Sequence, residues 1–244
     1  MSTPEIRIIV AAWGMCRWMV NPCIQSLKGH WPEMPENVTL ITDEYIGDLP
    51  SYVNIYTAPA WEPRHYSGRL MEMLKTTQEP IIFLLSVDTF LTRNIDDTKM
   101  RLLAQYMVEK GNIFSAVPRL VAALEKYRRH VDDYHGMEII DCGAPRHCSV
   151  AGAAWGHSLY SRDLLLRLLE NFWTIWECET FTMRKVKEDP SVTSVGVYPA
   201  LFDVTDLCWT NVGKTYSYFW HLDQLTEYDR WLVQTAMPET ARWM

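Results

Sequence analysis

Long apolar runs are missing from this 244-residue chain: none reaches the roughly 18 to 20 residues that a membrane-crossing helix needs. The most apolar stretch, Ile81 to Val87, has only the length of a strand. The opening MSTPEIRIIV lacks a basic segment followed by a long apolar one, so no secretory leader is expected. There is no Gly-x-x period, which excludes a collagen-like chain. The six cysteines (Cys16, Cys23, Cys142, Cys148, Cys178, Cys208) include no CxxC pair, and a chain of this length needs no disulfide staple. They read as reduced thiols of a cytosolic protein. A zinc site on Cys142, His147 and Cys148 has no evident fourth ligand. Positive charge is also in short supply: 23 Lys and Arg stand against 30 Asp and Glu, a net −7. That balance speaks against a dedicated nucleic-acid binder, whose affinity rests on neutralised phosphates. Basic residues still cluster locally, at Lys126, Arg128, Arg129 and His130 and again at Arg184, Lys185 and Lys187. No nucleophile elbow, HExxH, P-loop or GxGxxG is present.

What remains is a globular composition with 48% hydrophobic residues and an unusual 11 tryptophans. The length fits one domain, taken as 1–244. Strand patterns fall at Ile8 to Ala12, Val38 to Thr42, Tyr52 to Tyr56, Ile81 to Val87, Ile113 to Val117, Ser149 to Trp155 and Val192 to Tyr198. Helical patterns lie between them. One opens at Asn21-Pro22 with Asn as cap and ends by Pro32. Others cover Tyr66 to Thr77, Asp96 to Lys110 (stopped by Gly111), Asp163 to Phe172 and Trp176 to Lys187. Residues 119–148 lack a clean period and read as an excursion from the core. Alternating strands and helices predict an α/β fold, a mainly parallel central sheet with helices on both faces. Sites in such sheets lie beyond the carboxyl ends of the strands. The residues after Ala12, Thr42, Val87, Val117 and Trp155 are therefore the ones to inspect.

Asp88 follows the most apolar strand directly. A carboxylate there is costly unless solvated, paired or bound to a cation, and hard divalent cations prefer oxygen ligands. Glu177 and Glu179 lie two residues apart at a helix start, where one could cap while the other faces a cleft as a general base. Gly213-Lys214 suits an ammonium approaching a phosphate. His221 lies in an aromatic context and is a candidate metal ligand. Trp13, beyond the first strand, is placed to stack on a nucleotide.

Several of these stretches, in order, resemble small GT-A-type glycosyltransferase-like proteins of bacteria and phages. The matching residues are Trp18, Pro22 and Leu27, then W-P-E-M-P (31–35) and L-I-T-D (40–43). Ser67-Gly68-Arg69-Leu70, L-L-S-V-D-T-F (84–90), Trp155, Arg162 to Leu165, Trp176-Glu177-Cys178-Glu179 and Gly213-Lys214 follow. The resemblance implies a GT-A fold and a nucleotide-sugar-dependent, hexosyltransferase-type enzyme, with a UDP sugar as donor. It implies that Asp88 stands where the family's Asp-x-Asp motif binds Mn or Mg, with His221 completing the metal shell. Glu179, or else Glu177, would be the base. Lys214 and Arg69 would neutralise phosphate, and Trp13 and Thr42 would line the donor pocket. One departure stands out: Ser86-Val87-Asp88 keeps a single Asp of the motif. The acceptor is either a glycan or the hydroxymethyl group of a modified pyrimidine in phage DNA, with the protein in the cytoplasm of a bacterial cell or phage-infected host. The competing expectation is a non-catalytic nucleotide-sugar or glycan binding protein that retains the fold.

Overall fold

The computed structural model describes residues 3–12, 14–57, 66–118, 129–142, 157–206, 208–210, 216–218 and 225–236. The chain starts with β1 (Ile6–Ala11), a 3-10 turn (Gly14–Met19), α1 (Val20–His30), β2 (Val38–Thr42), β3 (Val53–Thr57) and α2 (Tyr66–Thr76). Then come β4 (Ile81–Ser86), β5 (Thr89–Leu91), α3 (Asp97–Lys110), β6 (Ile113–Val117), β7 (His130–Tyr134) and β8 (Met137–Asp141). The remainder is β9 (His157–Ser161), α4 (Arg162–Leu168), α5 (Ile175–Glu188), β10 (Thr193–Tyr198), β11 (Val204–Asp206), β12 (Cys208–Thr210), β13 (Tyr216–Tyr218) and α6 (Glu227–Ala236).

Nine strands form one sheet in the order β3-β2-β1-β4-β9-β6-β10-β8-β7. The pairs β2–β3, β1–β2, β1–β4 and β6–β10 are parallel. Only β8 and β9 run against the rest, each antiparallel to both of its neighbours. β5 and β11 form a short antiparallel ribbon, as do β12 and β13. The sheet is covered on both faces, so its central strands carry apolar residues at every position rather than at alternate ones. Along β1, Ile8 and Val10 belong to one core and Ile9 and Ala11 to the other. The first core takes the inner faces of α1 and α3 and is centred on Trp31, Phe83 and Phe202, whose rings meet edge to face at 5.7 and 5.8 Å. The second takes α2, α4 and α5. Trp31 is fully buried, with its indole N–H donating to Asp97 Oδ1 at 2.8 Å.

The helix ends of α3 follow the sequence. Asp96 caps the start by accepting from Lys99 N at 3.1 Å, and Gly111 ends the helix in the left-handed region at φ 71°. Three expectations change. Asn21 is not a cap: the chain enters α1 through the 3-10 turn, so the helix starts at Val20 with Met19 at the cap position. Pro22 remains in the first turn, where its missing N–H costs nothing. The leucine-rich helix runs Arg162–Leu168 and stops well short of Phe172. Third, part of the supposed excursion is sheet: β7 and β8 form a hairpin on the β10 edge, turned at His135 (φ 50°) and Gly136 (φ 78°). Paired positive-φ residues make a two-residue turn whose twist matches the strands. The remaining parts, 119–128 and 143–148, lie outside the described residues, as does the expected strand Ser149 to Trp155. The strand beside β4 is His157–Ser161. His157, Ser158 and Tyr160 break its apolar pattern, although every position from His157 to Tyr160 is buried.

Four of the cysteines, Cys16, Cys23, Cys142 and Cys178, are in no disulfide. Burial raises Cys23 and Cys142 to about 12 and Cys178 higher still, which favours the protonated thiol in all three. Among the described residues, no helix is long and apolar enough to cross a membrane.

Candidate functional site

The carboxyl ends of β1, β2, β3, β4, β6 and β10 open on one edge of the sheet. Thr42 ends β2 there, fully buried, with its hydroxyl 3.5 Å from Asp43 Oδ1. Arg17, from the turn after β1, reaches the same place. Its guanidinium lies 3.5 Å from Asp43 and 2.6 Å from Glu44. The hydrogen bond to Glu44 is the main reason that Arg17 holds its proton more firmly than usual. Residue types alone gave no reason to single out Arg17.

Asp88 sits one strand away from β1. Val87 N donates to Ala11 O at 3.1 Å, which carries the β1–β4 pairing one step past the strand and fixes the turn that bears Asp88. Ser86 donates its hydroxyl to Asp88 Oδ1. The carboxylate is half-buried. It is also close enough to Cys23 to add to the rise of that thiol, after burial itself. The β5–β11 ribbon brings a second acidic residue to this place: Asp206 lies in register opposite Thr89, next to Asp88. That pairing spans more than a hundred residues of chain, and no local pattern announced it.

The two glutamates part company. Thr174 caps α5, accepting from Glu177 N at 3.2 Å, while Glu177 accepts from Thr174 N at 2.8 Å. This reciprocal capping box commits the Glu177 carboxylate to the helix end. Glu179 lies two residues further along α5, and its side chain is outside the described residues. The start of α5 is tied to α2 by two bonds between Ser67 and Trp173. Ser67 N donates to Trp173 O at 3.1 Å, and Trp173 N donates to Ser67 Oγ at 2.8 Å. Ser67 and Arg69 therefore lie in the first turn of a helix clamped to the element carrying Glu179. Arg69 itself pairs with Glu72 at 2.9 Å, and Glu72 also accepts from Tyr56 at 3.0 Å. Trp13, Lys214 and His221 lie outside the described residues.

A resident divalent cation needs several oxygen donors. Among the described residues no three His, Cys, Asp or Glu side chains converge into such a set. Asp88 alone, with one oxygen taken by Ser86, is not a cage for a metal. Among the described residues there is thus no preformed set for a tightly held ion.

No protein-family model matches the chain, and no curated protein does. Solved structures do. S. aureus TarS aligns with a TM-score of 0.50 at 10% identity, over 81% of this chain and 36% of that one. Its segment 1-349 aligns with a TM-score of 0.49 at 10% identity, over 81% and 59%. Glucosyl-3-phosphoglycerate synthase from Mycobacterium tuberculosis, in complex with Mn2+ and UDP-glucose, aligns with a TM-score of 0.43 at 13% identity, over 75% and 66%. The chain thus spans between about a third and two thirds of the length of these proteins. The likeness is one of fold, and the α/β architecture is GT-A-like.

Proposed function

We propose that this protein is a glycosyltransferase that moves a sugar from a nucleotide-sugar donor, a UDP sugar, to an acceptor hydroxyl. The observation that carries the reading is Asp88. A half-buried carboxylate is held by Ser86 at the carboxyl end of the most apolar central strand, on the edge where α/β sheets bind ligands. The acceptor hydroxyl belongs either to a glycan or to a hydroxymethylpyrimidine in DNA.

In the transfer, the bond from the anomeric carbon to the diphosphate oxygen breaks, and the leaving diphosphate keeps the electron pair. The acceptor oxygen bonds to the anomeric carbon, and its proton passes to the Glu179 carboxylate as general base. Lys214 neutralises phosphate charge, with Trp13 stacked on the uracil and Thr42 at the donor pocket's floor; Arg69, which the resemblance would add to that task, is paired with Glu72. A divalent cation such as Mn or Mg, if recruited with the donor, would add Lewis-acid stabilisation of the leaving diphosphate, with Asp88 as its protein ligand and His221 as a second.

The test is thermal shift with a panel of nucleotide sugars, with and without Mn, followed by mass spectrometry of glycan and hydroxymethylated DNA acceptors. A rise in melting temperature with one donor and a hexose-sized mass gain on one acceptor are expected. No stabilisation by any donor would sink the reading.

The two glutamates give a sharper expectation. Glu177→Gln weakens the capping box and lowers stability by about 1 kcal/mol, while transfer stays within about twofold. Glu179→Gln leaves the melting temperature alone and slows transfer at least about tenfold. Urea unfolding and initial rates on both variants check this, and the opposite pattern would assign the base to Glu177.

A further inference from the structure

Among the described residues, Phe172 is one of three non-glycine residues with positive φ, and the bulkiest apolar one. This residue adopts φ 68°, in the left-handed region that bulky side chains avoid, and its side chain is 69% exposed. An exposed aromatic ring in a disfavoured conformation persists only where the surroundings over-determine it, and such residues collect at ligand clamps. The surroundings here do so. The next residue, Trp173, is bound twice to Ser67. Its ring meets Phe181 edge to face at 5.2 Å and carries the Lys185 ammonium 4.9 Å above it. The preceding residue, Asn171, packs its side chain against Gly68, where an added Cβ would lie 3.4 Å from Asn171 Oδ1. Phe172 is thus held out from the surface by a turn fixed on both sides.

Beside it is an open groove of about 300 Å³ lined by Gly68, Arg69, Glu72, Asn171 and Phe172. It pairs a flat apolar wall with an amide, a carboxylate and a guanidinium. That combination suits a sugar ring, whose C–H face packs on an aromatic and whose hydroxyls both donate and accept hydrogen bonds. Its position matches. Glu72 accepts from Tyr56, one residue before the end of β3, and α2 connects β3 to the parallel strand β4, so its first turn lies toward the carboxyl edge of the sheet. That turn is clamped to the start of α5. The geometry points to this groove as an acceptor subsite for an oligosaccharide, a proposal that rests on the glycosyltransferase reading above. Duplex DNA fits it poorly. The cation at the groove, Arg69, is already paired with Glu72, and a phosphate would meet that carboxylate at close range.

The test uses Phe172→Gly, because glycine is at ease at φ 68° and removes the ring without stressing the turn. Disaccharides and trisaccharides of glucose, galactose and N-acetylglucosamine serve as probes in saturation-transfer NMR and as acceptors. A hydroxymethylated duplex runs in parallel, and Trp231→Ala, an exposed aromatic elsewhere, is the control. The expected result is a melting temperature unchanged or raised in Phe172→Gly. Oligosaccharide binding falls about five- to tenfold in that variant and in Asn171→Ala, but not in the control. Undiminished binding in Phe172→Gly overturns the proposal, as does failure of every oligosaccharide to bind the parent. Duplex binding that is lost with Phe172 overturns it in favour of DNA. Donor thermal shift on the parent is read separately, so a failed subsite and a failed glycosyltransferase are distinguishable.

Discussion

Asp88→Asn slows sugar transfer by about two to three orders of magnitude, the usual loss when a positioned electrostatic group is removed from a site where charge develops. The fold is expected to tolerate the change. Asparagine has the same shape, and its amide oxygen can still accept from Ser86, so the melting temperature moves little. The turn that carries the residue is fixed by the Val87-to-Ala11 backbone bond, which the substitution does not touch. Donor hydrolysis and transfer are measured at saturating donor, with and without Mn. A uniform loss in both conditions assigns Asp88 to the chemistry itself. A loss only with Mn assigns it to recruiting the ion. Turnover within about fivefold of the parent would remove Asp88 from the site and favour a binding protein that has kept the fold.

The parts of this molecule that were legible in the sequence are those that local chemistry specifies. Ile81 to Val87 read as a strand covered on both faces, and the structure has it over Ile81–Ser86; a carboxylate just past it had to be solvated, paired or used. Asp96 and Gly111 bracketed α3 because a side-chain acceptor and a left-handed residue each satisfy backbone groups within a few positions. What was hidden depends on distant partners. β9 was not among the expected strands: His157, Ser158 and Tyr160 interrupt its apolar pattern, and its place between β4 and β6 is set by pairing with strands far away in sequence. Arg17 becomes notable only once β1 and β2 lie side by side. The spacing of Glu177 and Glu179 said that they would diverge, but only the Thr174 bonds said which of them caps. Tryptophan was ambiguous in the same way: composition counts Trp31 and Trp173 alike. The first is sealed in the core, and the second braces a surface turn.

The second large effect is on stability, and it comes from a pair 199 residues apart. His30, at the end of α1, places Nε2 2.9 Å from Asp229 Oδ2 of α6 and Nδ1 3.1 Å from Asn94 Oδ1. With an oxygen acceptor at each ring nitrogen, both N–H groups of the protonated imidazole have a partner, which favours the cation. The hydrogen bond to Asp229 raises the His30 pKa above its ordinary value against the opposing effect of burial. Burial would raise the Asp229 pKa, but the bonds from His30 and Thr226 outweigh it and the net shift is downward. Asp229 is 1% exposed and His30 12%, so removing one partner strands the other charge. Asp229→Asn is therefore expected to cost about 3 to 5 kcal/mol, and His30→Gln a comparable amount. The double variant should recover part of the loss, because neither charge is then left alone. The pH dependence has a definite sign. The His30 contribution is complete below its unfolded pKa of about 6.5 and disappears as pH rises through the higher folded value. The Asp229 contribution is complete above about 3.9 and disappears as pH falls through its lower folded value. Stability from the pair therefore plateaus between about pH 4 and 6.5 and declines on the alkaline side. Urea unfolding of the parent at about pH 6 and about pH 9 should show that decline, and Asp229→Asn should flatten it. Equal parent stability at the two pH values would mean that folding does not raise the imidazole's pKa, and the bond to Asp229 would then be that of a neutral tautomer.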